Sequence, residues 1–139
     1  MATFTCFNAF SVDLTAGKHD FTSHNYKVML TNTAPVATNA VKADITDISA
    51  GNGYTAGGSA SAITRSASGT TEKLIAADVT FTATGAIGPF RYAVLYNDTQ
   101  TSPAKPLVGW VDYGSAVTMA NTDTFIVDFD ATAGFAQVG

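Results

Sequence analysis

A chain of 139 residues falls within the range of one domain and can bury most of its apolar surface. Charged residues make up 13% against 46% hydrophobic, about half the charged share of an ordinary soluble domain; Thr, Ala, Ser and 12 Gly with only 4 Pro suit closely spaced strands and tight turns, not disordered chain. The net charge is −4, and the cations Lys18, Lys27, Lys42, Arg65, Lys73, Arg91 and Lys105 stand singly, which argues against nucleic acid as a partner, since phosphate binding needs clustered Lys and Arg.

Cys6 is the only cysteine, so no internal disulfide frames the fold, and its simplest role is a small buried hydrophobe. The opening MATFTCFNAF has neither a basic n-region nor a continuous apolar run. No stretch approaches the roughly 18 apolar residues of a membrane span. The expectation is a protein made and folded in a cytosol, with no membrane partner.

In chain order, Phe7, Phe10 and Leu14 fall at i, i+3 and i+7, the spacing of one helix face, with Gly17 to end it. Phe4, Thr5, Phe7 and Val12 fit extended chain as well. From Tyr26 the period becomes two: Tyr26, Val28 and Leu30 face one way and Lys27, Met29 and Thr31 the other, a half-buried strand closed at residues 32–35. Residues 41–48 stay open between helical turn and strand, because Val41, Ile45 and Ile48 have helical spacing but β-branched side chains.

Residues 49–58, SAGNGYTAGG, place four glycines around Tyr54, which predicts a shaped loop with φ > 0 positions. Residues 59–71 are small and polar, an edge strand or a mobile loop whose order depends on a neighbour. Val79, Phe81 and Ala83 alternate with polar residues, and a turn at residues 85–89 leads to Phe90, Tyr92, Val94 and Tyr96, the best hairpin candidate. Ala93 and Leu95 make the other face of that second strand apolar too, so it is expected to be central. A strand over residues 107–113 would put Trp110 on one face and Val111 and Tyr113 on the other. After a turn at residues 119–123, TFIVDFD points Phe125, Val127 and Phe129 inward and Ile126, Asp128 and Asp130 outward. AGFAQVG could add a terminal strand. Six to eight short strands with at most one or two helical pieces predict a mainly β protein: a single antiparallel β-sandwich or jelly-roll-like domain over residues 1–139, with a short N-terminal helix or arm in residues 1–20.

The groups capable of chemistry give weak patterns. His19 and His24, with Asp20 and Ser23 as neighbours, lack a nucleophile context such as G-x-S-x-G, and a polar turn explains them better. The two histidines with Asp13 and Asp20 lack the spacing of a zinc site. Asp128 and Asp130, two apart on a strand, could be an acid/base pair or a cation site, but a solvated sheet face predicts them more simply. Asp44, Asp47 and Asn52 lack the core of a calcium loop, and the glycines around Tyr54 lack the Lys-Ser/Thr of a phosphate cradle. The expectation is that the protein is not an enzyme and holds no cofactor or metal.

Several phrases together, GKHDF at residues 17–21, KVMLTNTAP at 27–35, GNGYTAGG at 51–58, IGPFRYAVLYND at 87–98 and PLVGWVDYG at 106–114, resemble a family of small virion proteins of tailed bacteriophages. The resemblance runs from about residue 7 to 129. It implies a structural role in the particle, as a capsid decoration (cement) protein or as a tail or head-fibre component, and it carries no catalytic residue to this chain.

From this follows an expected function: a decoration protein on the capsid surface of a virion that binds the assembled major capsid protein, or other virion proteins, as a homo-oligomer. The alternative is a tail-fibre, head-fibre or receptor-binding domain presenting loops to the host. Phe4, Phe7 and Phe10 of the N-terminal segment, Tyr54 in the glycine-rich loop, and Trp110 are the expected partner contacts, since large aromatic side chains anchor interfaces at low entropic cost.

Overall fold

The computed structural model describes residues 3–138. The chain runs β1 (Phe4–Cys6), α1 (Asn8–Thr15), β2 (Tyr26–Thr31), β3 (Ser59–Ala60), β4 (Ile63–Ser68), β5 (Thr71–Ala76), β6 (Val79–Thr82), β7 (Ile87–Asn97), β8 (Leu107–Met119), β9 (Thr124–Val127) and β10 (Ala136–Val138). One sheet has the order β1-β8-β7-β2-β3, a second β10-β5-β4, and β6 pairs with β9 in a two-stranded ribbon. These pairings are antiparallel. The expected mainly β, sandwich-like architecture with one short helix is the one observed.

Alternation explains the layers. Val28 and Leu30 of β2, Ala93 and Leu95 of β7, and Val108 meet Leu74 and Ala76 of β5, Val79 and Phe81 of β6, and Val127 of β9 in the main core. The alternate residues Met29, Val94 and Tyr96 point to the opposite face, where Leu107, Phe7 and Ile45 join them. β7 is therefore central and covered on both faces, as its two apolar rows require.

β2 was expected to be half-buried. Instead Met29 and Thr31 are 0% exposed, because the connection after β2 folds back over the second face and brings Ile45 onto it. That connection holds a single 3-10 turn at Lys42–Asp44 and a bridge from Val41 to Pro106, so residues 41–48 are neither a regular helix nor a strand. At the N-terminus both readings coexist: β1 is extended, Phe7 caps α1 in an extended conformation, Phe10 and Leu14 turn to the core, and Gly17 adopts φ +75° just past the end.

The expected hairpin between residues 79–84 and 90–96 does not form. β6 pairs with β9, Val79 opposite Val127 and Phe81 opposite Phe125, because β7 has both edges occupied by β2 and β8. Phe90 also leaves the face of Tyr92: the β7–β8 register shifts on either side of Phe90, a bulge-type irregularity that turns the side chain over, and Phe90 joins the main core. Residues 59–71 form β3 and the edge strand β4, which makes a hairpin with β5, so the edge-strand reading holds. Phe125, Val127 and Phe129 point inward as expected, and the terminal strand exists as β10 against β5.

Candidate interaction surface

The glycine-rich loop is shaped as the sequence requires, but Tyr54 is not on the surface. Gly51, Gly53, Gly57 and Gly58 all have positive φ, and Tyr54 is 2% exposed, its ring 5.6 Å from that of Phe81. Its hydroxyl accepts the Leu30 N–H at 3.0 Å and donates to the Asp47 carboxylate. Asp47 also accepts the Gly57 N–H at 2.7 Å, and the Tyr96 hydroxyl donates to the Gly57 carbonyl at 2.6 Å. Burial, and then the bond to Asp47, pushes the Tyr54 phenol far above its ordinary pKa. The expectation of a partner contact at Tyr54 is corrected: the loop folds inward and the phenol is a structural peg.

Phe7 and Phe10 are corrected in the same way. Both are buried; the Phe7 ring packs at a tilt against Trp110, 4.5 Å between centroids, and Phe10 lies 5.3 Å from the ring of His19. Trp110 and Phe4 are both half-buried. The N-terminal aromatic residues are consumed by the chain's own sheet faces, which helical spacing alone could not reveal.

The histidines come together, around Asn97. Its Oδ1 accepts the N–H groups of Thr99 at 2.9 Å and Gln100 at 3.1 Å, so its amide nitrogen must donate. It does so to His24 Nδ1 at 2.9 Å and to the Tyr26 hydroxyl at 3.3 Å, which leaves the Tyr26 proton for His19 Nδ1 at 3.2 Å. His19 Nε2 then carries the ring's one N–H hydrogen, buried without a partner. Burial, helped by the field of His24, lowers the His19 pKa to about 4. Ser23 and Thr22 give their hydroxyls to Asp20, and these bonds hold that carboxyl well below its usual range. The cluster locks the 17–25 and 97–100 loops together.

The other carboxylates singled out in the sequence are mostly engaged. Asp44 accepts the Ala40 and Val41 N–H groups, and Asn52 donates to the Ala86 carbonyl. Among the described residues no three His, Cys, Asp or Glu side chains are placed to hold a metal ion, and no helix is long and apolar enough to cross a membrane. Cys6, expected to be buried, is half-buried and packs against the main core, and burial raises its pKa.

Asp128 and Asp130 do share a feature. Together with Thr3, Phe4, Val111, Phe129, Gly134 and Phe135 they line an open cleft of about 280 Å³. Phe4 sits there against Phe129 and Phe135, at 6.0 Å and 5.5 Å. Tyr113 stands close by: burial first, then the Asp128 charge, raises its pKa to about 12. Above this cleft runs β1, the edge of the five-stranded sheet. Phe7 N–H bonds the Val108 carbonyl at 3.1 Å, and bonded pairs alternate along an antiparallel ladder. Thr5 therefore turns its backbone groups to Trp110, while Phe4 and Cys6 point theirs away from β8. No described residue meets them.

No protein-family model, no curated protein and no solved structure matches this chain.

Proposed function

We propose that this protein is a structural component of a tailed-phage virion, a capsid decoration protein that binds the assembled coat lattice and stabilises it. A protein that binds the lattice but not free coat subunits adds its binding free energy to the assembled state. The observation that carries this reading is the contrast between interior and edge. The histidines, the glycine-rich loop and its tyrosine are committed to holding turns and loops, whereas the accessible surface is weakly charged, built of small polar side chains, and includes an open sheet edge at β1.

The resemblance adds support. Its most specific phrases, GYTAGG and FRYAVLYND, contain Tyr54, Gly57, Tyr96 and Asn97, the residues that lock the loops to the sheet. A shared phrase of this kind goes with a shared scaffold. The fibre-tip alternative would use Tyr54, Trp110 and Tyr113 as exposed contacts; Tyr54 is buried and the other two are half-buried.

Copy number in purified virions separates the two. Quantitative mass spectrometry should find on the order of hundreds of copies per particle for a protein that follows the lattice symmetry. A few to about a dozen would reassign the protein to the tail.

A further inference from the structure

The two edges of the five-stranded sheet are treated differently. On the β2 side, β3 covers only Lys27 and Val28, but the ladder is continued by the chain itself: Tyr26 and Leu30 carbonyls accept Ser61 and Ile48 N–H groups, and Leu30 N–H is taken by Tyr54. On the β1 side nothing described does this for Phe4 and Cys6. An unpaired strand edge is a template for another strand.

The chemistry beside that open edge is specific. Phe4 and Val111 are cross-strand partners and share a face, so a strand added to β1 would turn the side chain opposite Phe4 onto the same face. There stand Phe129 and Phe135 and the carboxylates of Asp128 and Asp130. None of the residues lining the cleft is cationic. The nearby Lys73 donates to the Thr132 carbonyl at 2.8 Å. Asp130 holds the N–H groups of Thr132 and Ala133, whereas Asp128 has no hydrogen-bond or ion-pair partner among the described residues.

We propose that the β1 edge and this cleft receive an extended segment of a neighbouring virion protein, which adds a sixth strand to the sheet and seats a lysine or arginine between Asp128 and Asp130. Main-chain bonds to Phe4 and Cys6 supply strand addition, the aromatic rings cover the apolar stem of the cation, and the carboxylates take its head. A second copy of this chain is a poor occupant. Among the described strands that lie at a sheet edge, only β4 carries a cation, Arg65, and it is bound to Glu72.

This rests on the decoration reading for the identity of the partner, but its test needs no virion and fails separately. The full-length, isotope-labelled protein is titrated with blocked hexapeptides of alternating Thr and Val that carry one Lys, with matched Glu peptides and with butylamine as comparisons. The expected result is saturable shifts and slowed exchange at the Phe4 and Cys6 amides with the Lys peptides, and about tenfold weaker binding of the Glu peptides. Asp128→Asn, an exposed change checked by its unaltered melting temperature, should remove most of that discrimination. Three outcomes overturn the proposal: no effect at Phe4 and Cys6 with millimolar Lys peptide, equal binding of Lys and Glu peptides, or the same shifts with butylamine, which would make the cleft a site for small cations. Concentration-dependent dimerisation through the β1 edge without peptide would overturn it in favour of a second copy.

Discussion

Tyr54 closes the edge of β2: its hydroxyl accepts the Leu30 N–H at 3.0 Å, at the point where β3 has already ended and the ladder would otherwise stop. The same hydroxyl donates to Asp47, so a single oxygen joins the glycine-rich loop, the sheet and the 41–48 connection. Tyr54→Phe would keep the ring against Phe81 and leave the buried Leu30 N–H without its acceptor and Asp47 Oδ1 without its donor, while Asp47 keeps the Gly57 N–H. The expected loss is about 2 kcal/mol, within the usual cost of an unmet buried polar group. Urea unfolding monitored by fluorescence would measure it, and a loss below a few tenths would mean that water replaces the hydroxyl.

Two glycines with similar backbone angles should respond very differently to alanine. At Gly58, φ is +84° and an added Cβ would collide with the Val28 carbonyl; at Gly17, φ is +75° with open space around it. Gly17→Ala then carries only the strain of a left-handed residue, about 1–2 kcal/mol. Gly58→Ala must also displace β2 and is expected to cost more than about 4 kcal/mol or to prevent folding. Comparable melting temperatures for the two variants would contradict the close packing of loop on strand.

Acid should loosen the loop cluster around Asn97. His19 has a folded pKa of about 4 against about 6.5 in unfolded chain, so between these values the unfolded state binds the proton and the folded state does not. Stability contributed by the neutral ring is therefore full above pH 6.5, falls as the pH drops, and levels off below pH 4, a change of about 3 kcal/mol at most. A proton on Nδ1 would face the Asn97 amide and the Tyr26 hydroxyl that now donates to it. Chemical denaturation at a series of pH values checks this. His19→Phe should flatten the profile between pH 6.5 and 4, and an unchanged slope in that variant would assign the dependence to other groups.

Much of the fold was legible because its strands alternate cleanly. TFIVDFD showed which side chains go inward and the double apolar rows of β7 showed that it is central, whereas β2 reads as half-buried but is covered on both faces. Partner choice was not legible: Val79 and Phe81 would suit a hairpin with β7 as well as they suit β9, and only the occupation of both β7 edges decides. β5 was missed, since TEKLIA carries its apolar residues at one end and makes no full alternation. The contact residues were misjudged for a related reason. Aromatic side chains at Phe7, Phe10 and Tyr54 look the same in sequence whether they anchor a partner or the chain's own loops, and the hydroxyl partners of Tyr54 lie 24 and 7 residues away. The carboxylates at Asp128 and Asp130 were seen, but not that Phe4 comes to stand beside them from the other end of the chain.

The decoration reading is tested most directly by cosedimentation of the purified protein with expanded, undecorated heads, with bound copies counted at saturation. The expected result is saturation at a copy number set by the lattice, on the order of hundreds per head, with heads that resist heat or shear better when coated. Failure to bind assembled heads at any protein concentration, or binding limited to a few copies at one vertex, would contradict it.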